Sequence, residues 1–124
     1  MSVRMYTPED FAEVSGWAKE RGQEYSADLL PPTGVIIPGI AAYFLYTTNS
    51  KTCFLENLIS NPNTSSIERD KAIEVVTHTL VRFAREQGYT VAYACTNAPI
   101  VVLRALRQGA SAKGGYTLLQ LKLN

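Results

Sequence analysis

Between Gly34 and Ser60 three apolar runs follow one another with almost no chain between them: "GVII", "IAAYFLYTT" and "TCFLENLIS", separated by "PG" and "NSK". Connections this short cannot cross over a sheet, so the runs are expected to pair antiparallel as a β-meander. The period then changes. Ser65-x-x-Glu68 has the form of a capping box, and Ala72, Ile73, Val76, Leu80, Phe83 and Ala84 recur at helical spacing as far as Gly88, a C-terminal cap glycine. "TVAYACT" follows as a fully apolar strand, the pattern of one buried on both faces. A strand, a helix and a strand in that order form a right-handed parallel crossover. The expected product is a mixed sheet covered by helices.

The rest of the chain adds to this frame. "VRMY" reads as a short strand, and Thr7-Pro8-Glu9-Asp10 supplies an N-cap, a proline at the first helical position and acids in the first turn. Phe11, Val14, Trp17 and Ala18 give that helix an apolar stripe ending near Gly22. "QEYSADLLPPT" is ambiguous, a short helix being one reading, and is closed by Pro31 and Pro32. "APIVVLRALRQG" reads as a further helix and "GGYTLLQLKL" as a terminal alternating strand. Without repeats, linkers or low-complexity tracts, 124 residues are expected to form a single domain, 1–124.

Composition excludes several functions. A formal net charge of +1 offers no electrostatic case for nucleic acid or an anionic membrane. The longest apolar stretch, Val35–Tyr46, is broken by Pro38 and Gly39 and falls short of the ~20 helical residues that span a bilayer. "MSVRMYTPED" lacks the apolar core of a signal peptide. Cys53 and Cys95 lie far apart among apolar strand residues, which points to two buried thiols rather than a disulfide. The expected compartment is the cytoplasm.

Among residues that carry chemistry, Glu56 stands out because it interrupts the apolar run "CFLENL". A buried carboxylate is uncommon without a reason, and one on a central strand can accept a proton from a reacting amine. It reads equally as a strand residue facing solvent or paired with a nearby cation. Asn57 is expected on the opposite face of the sheet. His78, the only histidine, falls on the helix face opposite the apolar stripe, as a surface residue does. No second histidine or acidic cluster supplies metal ligands, and no Cys-His or Ser-His pairing has support. Tyr43, Phe44, Tyr46 and Phe54 cluster on the meander, mostly as core, with a tyrosine facing the cleft able to line an acceptor site.

The order of these elements resembles the GNAT superfamily of N-acetyltransferases over nearly the whole chain. "VRMYTPEDFAEVSGWAKE" is similar to its opening strand and helix, "FLENLISNP" to its fourth strand, "LVRFAREQGYTVAYACTNAP" to the end of its long helix and its fifth strand, and "LRALRQGA" to its last helix. The run "LPPTG…NP…ERDKAIE" also resembles small GNAT-like proteins of tailed bacteriophages. The resemblance implies an α/β fold with a mixed sheet of six to seven strands flanked by about four helices. It implies acetyl-CoA as co-substrate, Glu56 as general base, and a small-molecule amine or a protein as acceptor. Cofactor binding falls to the Leu58, Ile59 and Ser60 edge, to Asn97 after the fifth strand, and to the phosphate loop at the long helix.

Counted back from Gly88, that loop matches Arg69, Asp70, Lys71, Ala72, Ile73 and Glu74, with Arg69, Lys71, Ala72 and Ile73 as contacts. The basic first position is kept, while Ala72 and Glu74 replace glycines that would let backbone approach a diphosphate. Charges here equally read as the solvated face of a helix start, and Asn97 equally as a turn or N-cap residue. The family's proton-donating tyrosine corresponds to Ala105, and Tyr116 is displaced and reads as core. Two functions stay open: an acetyl-CoA-dependent N-acetyltransferase, and a GNAT-shaped protein without transfer chemistry that contacts a partner, a host protein in the host cytoplasm if the chain is viral. A homodimer also stays open.

Overall fold

The computed structural model describes residues 1–123 and divides into two units, Met1–Ala94 and a second beginning at Cys95. In the first, β1 (Arg4–Met5), β2 (Gly34–Ile37), β3 (Ala41–Tyr46), β4 (Thr52–Ser60) and β5 (Val91–Tyr93) form one sheet in the order β1-β2-β3-β4-β5. The first four strands pair antiparallel, and β5 joins β4 in parallel. The meander and the crossover are therefore as the connection lengths require. A 3-10 turn (Pro8–Asp10) leads into α1 (Phe11–Glu20), and α2 (Ser66–Glu86) links β4 to β5.

Each helix covers one face of the sheet, and strand alternation assigns the faces. Val35, Ile37, Ala41, Tyr43, Leu45, Cys53 and Leu55 pack with Ala72, Ile73, Val76, Leu80 and Ala84 of α2. Ile36, Ala42, Phe44 and Ile59 pack with Val14, Trp17 and Ala18 of α1, joined by Tyr6 and Leu30. Capping chemistry sets the helix starts. Thr7 and Asp10 form a capping box ahead of α1, and the Ser65 hydroxyl accepts from the Glu68 amide at 3.2 Å. Gly88, at φ 95°, takes the left-handed conformation that ends α2. Gly34 is required for a different reason: a Cβ there would lie 2.7 Å from Phe44 Cδ1 and 2.8 Å from the Tyr43 carbonyl oxygen.

In the second unit, α3 (Pro99–Arg107) begins with proline at its first turn and is followed by Gly109 at φ 94°.

Four expectations are corrected. Among the described residues there are five strands and three α-helices, not six to seven and about four. "QEYSADLLPPT" is a turn at 27–30, tied by the Leu29 amide to the Ser26 carbonyl at 3.0 Å, since two prolines and a serine-aspartate pair favour turn over helix. Residues 110–123 have no regular secondary structure, so Tyr116 is exposed rather than core. β5 ends at Tyr93 and is exposed along its length, which leaves Cys95 beyond the strand and exposed, while Cys53 is buried. Both cysteines carry thiols, and His78 is on the surface. Among the described residues no helix is long and apolar enough to cross a membrane.

Candidate functional site

β4 changes character halfway along. Its parallel pairing with β5 covers only Thr52–Phe54, opposite Val91–Tyr93, although β4 runs on to Ser60. Over the remaining length its second edge has no strand neighbour among the described residues. On the other edge the ladder to β3 slips: Phe44 pairs with Glu56 but Ala42 pairs with Ile59, so Tyr43 stands opposite both Asn57 and Leu58. This is a β-bulge, and Asn57 takes it up at φ 59°. Asparagine is among the few residues that adopt this conformation readily.

The bulge also redirects Asn57. Its side-chain amide donates to the Tyr46 hydroxyl at 2.5 Å, and that hydroxyl donates to the Leu29 carbonyl at 3.1 Å. Tyr46 packs on the α1-side cluster, so Asn57 lies on the same side as Glu56 rather than on the opposite face. Simple alternation fails here because one extra residue resets the period. Glu56 is half-buried on the α1 face, opposite Phe44. Its charge reaches two phenols. Burial, and after it Glu56, pushes Tyr43 up to about 12. Burial also raises Tyr46, with the Asn57 amide opposing and Glu56 adding to the rise.

The three edge residues expected at the cofactor divide. The Asn61 amide donates to the Ile40 carbonyl at 2.8 Å, which by alternation turns the backbone of Ile59 toward β3 as well. Ile59 is thus bonded inward and its side chain is buried under α1. Ser60 turns its backbone to the open edge, and the Leu58 side chain packs on the α2 face. Sequence reasoning missed the residue that meets Ser60. Arg21, at the C-terminal end of α1, donates from Nε to the Ser60 carbonyl at 3.1 Å and from Nη2 to Ser60 Oγ at 3.0 Å.

The stretch expected as the phosphate loop lies within α2. α2 starts at Ser66, so residues 69–74 run from the end of its first turn into its third, and the Arg69 amide already donates to the Ser65 carbonyl at 2.9 Å. Ala72 and Ile73 are buried against the sheet and their amides lie inside the helix. Lys71 and Glu74 are exposed on its outer side. Arg69 folds back, donating to the Pro62 carbonyl at 3.3 Å and to the Thr64 carbonyl. Because Ser65 caps Glu68, the amides left to meet a ligand are those of Ser66 and Ile67. Asn97 sits in the second unit, exposed, in the irregular stretch before α3, whose N-cap is Ala98.

No family model matches the chain, and no curated protein matches it. Solved structures do. A protein of Agrobacterium tumefaciens str. C58 described as an acetyltransferase superposes with a TM-score of 0.72 at 14% identity, covering 97% of this chain and 100% of that one. An aminoglycoside acetyltransferase from an uncultured soil metagenomic sample, solved with sisomicin, gives 0.68 at 11% identity, covering 99% and 96%. The ribosomal-protein-S18-alanine N-acetyltransferase of Escherichia coli gives 0.69 at 9% identity, covering 87% and 76%. The mixed sheet and the two helices that cover it are thus a GNAT-like fold, the fold of these solved acetyltransferases.

Proposed function

We propose that this chain is an acetyl-CoA-dependent N-acetyltransferase acting on an amine. The observation that carries the reading is β4, which loses its parallel neighbour after Phe54 and bulges at Asn57, three residues before its edge is met by Arg21 at Ser60. Such an edge offers backbone groups to an extended chain laid beside it, as in β-strand addition. The residues that would hold acetyl-CoA in this reading are the Leu58 backbone and the Ser60 amide along the arm, the Ser66 and Ile67 amides at the opening of α2, and Arg21, already bonded to the Ser60 carbonyl and hydroxyl, in the basic role that Arg69 does not fill. Asn97 stays a candidate from its place in the sequence.

Acetyl-CoA, when bound, supplies the acetyl group as a thioester. The Glu56 carboxylate accepts the proton that the amine sheds as it becomes a nucleophile, and half-burial under the α1 face limits competition from water. Tyr43 is no proton donor to this edge, because it is buried on the α2 side with its phenol pushed up to about 12.

Calorimetric titration with acetyl-CoA and CoA tests the reading. The absence of both heat and thermal shift at millimolar cofactor would remove it. Given binding, Glu56→Gln is expected to lower turnover by on the order of 100-fold with cofactor affinity unchanged. Arg21→Ala is expected to weaken cofactor binding, and Arg69→Ala is not. The second reading, a partner-binding protein without transfer chemistry, draws on Arg69 being turned into its own loop, and the same titration decides between them.

A further inference from the structure

The packing of β4 requires one extra residue but leaves open what conformation that residue takes. Cys53 and Leu55 lie in the α2-side cluster, so Phe54 and Glu56 share the α1 face. In an unbroken strand Leu58 would join them and Ile59 would turn toward α2. Instead Leu58 packs in the α2-side cluster and Ile59 in the α1-side one. One inserted residue meets that demand, and the commonest bulge does so with right-handed backbone. Here Asn57 carries it at φ 59°, the one non-glycine residue in the left-handed region among the described residues. That choice needs a local cause, because the conformation is less favourable than the right-handed one even for asparagine.

The cause is a chain of groups from three separate segments. The Asn57 side-chain amide donates to the Tyr46 hydroxyl, and that hydroxyl donates to the Leu29 carbonyl. Tyr46 ends β3, and Leu29 lies in the turn at 27–30, whose last residue, Leu30, is buried in the α1-side cluster. Pro31 and Pro32 follow at once and stiffen that connection. The hydroxyl thus spends its donor on the turn and accepts from the bulge, and bonds aligned in this way strengthen one another. Extended backbone at Asn57 would aim its side chain at the α2 face, away from Tyr46. We infer that the Tyr46 hydroxyl is a positioning group that ties the 27–30 turn to the bulge. It thereby fixes how the Leu58 and Ser60 backbone groups are aimed along the open edge of β4. Its part in cofactor binding rests on the reading that this edge holds acetyl-CoA. Tyr46 meets no reacting atom in this role and acts through Asn57.

Two substitutions in the full chain test it. Tyr46→Phe keeps the ring and deletes only the hydroxyl, whereas Asn57→Gly keeps left-handed backbone accessible and deletes the side-chain amide. In NMR spectra without acetyl-CoA, each is expected to move backbone amide signals at both ends of the link. Those are Leu29 and Leu30 in the turn, and Leu58 and Ser60 on the edge. The double variant should add little to either single change, because both break one chain. Calorimetry well below the melting temperature of each protein should show acetyl-CoA binding weakened about three- to ten-fold by either substitution. A merely structural role would lower the melting temperature and leave the distant signals and this affinity in place. Edge signals unmoved in Tyr46→Phe, turn signals unmoved in Asn57→Gly, or additive changes in the double variant overturn the proposal. Measurable and equal acetyl-CoA affinity in all the proteins also overturns it. The two readings fail separately. If the unaltered protein binds no acetyl-CoA, the transferase reading falls, and the amide signals alone then uphold or remove the link between turn and edge.

Discussion

The two faces of the sheet are built differently. Under α2 the strands β2, β3 and β4 all contribute, and the helix lays five buried residues across them, from Ala72 to Ala84. Under α1 the cover takes in β2, β3 and the far end of β4 at Ile59, and stops short of Phe54 and Tyr93. The α2 face is a closed core. The α1 face is a core at one end and a surface at the other, and Glu56 and Asn57 fall at the transition. Stability is therefore expected to concentrate on the first face and binding on the margin of the second.

The strongest way to break that contrast is at Leu80, fully buried under α2. Leu80→Ala should cost about 3 kcal/mol by leaving a cavity that the surrounding residues only partly close. Urea denaturation measures it, and a loss of under about 1 kcal/mol would mean that the α2 face is looser than its burial implies. The α1 face should fail by crowding instead. Gly34→Ala puts a methyl group against the Phe44 ring and the Tyr43 carbonyl, and is expected to cost about 2 kcal/mol. A second substitution, Phe44→Leu, should recover part of that loss if the ring is the obstacle.

How much of this could be read from sequence follows the same division. Apolar periodicity exposed the meander, both amphipathic helices and the α2 face, because each rests on local spacing and on turns too short for another topology. Glu56 was legible as a charge interrupting an apolar run. Asn57 was assigned to the wrong face because nothing local announces a bulge, and the extra residue appears only in the pairing with Tyr43. Arg21 was missed because its partner Ser60 is 39 residues away, and alone it looks like a basic residue at a helix end. Counting back from Gly88 reaches Arg69–Glu74, inside the helix, whereas Ser65 is the N-cap, so the uncapped amides lie at Ser66 and Ile67. The terminal strand failed because alternation shows that a segment could pair, not that a partner edge receives it.

A smaller effect sharpens the α1 side. Arg4 and Asp10 form a two-bond ion pair, at 2.7 and 2.8 Å, that ties β1 to the start of α1, and the Thr7 amide adds a bond to Asp10 at 2.9 Å. The Arg4 guanidinium, foremost among several causes, holds the Asp10 carboxyl down at about 2. Its folded value lies below its unfolded one, so the stabilisation is present above the ordinary carboxylate range and is lost as pH falls toward 2. Arg4 is exposed, so solvent screens the pair and its contribution is small. Asp10→Asn should therefore show that deficit at neutral pH, and the gap between the two proteins should close between about pH 4 and pH 2. A gap that stays constant to pH 2 would assign the effect to packing rather than charge.

The smallest predicted change is the most discriminating. Phe54→Ser and Tyr93→Ser remove large apolar side chains, which in a core would cost several kcal/mol. Their rings are 42% and 55% exposed and touch each other outside the α1 cluster, so each substitution should shift stability by only about 0.5 kcal/mol. Differential scanning calorimetry on both variants is the measurement. A drop comparable to that of Leu80→Ala would mean that the ring pair is covered in solution and belongs to the core, and the contrast between the faces would disappear. A negligible drop would mean that little of the fold depends on these rings and that the α1-side core ends before them.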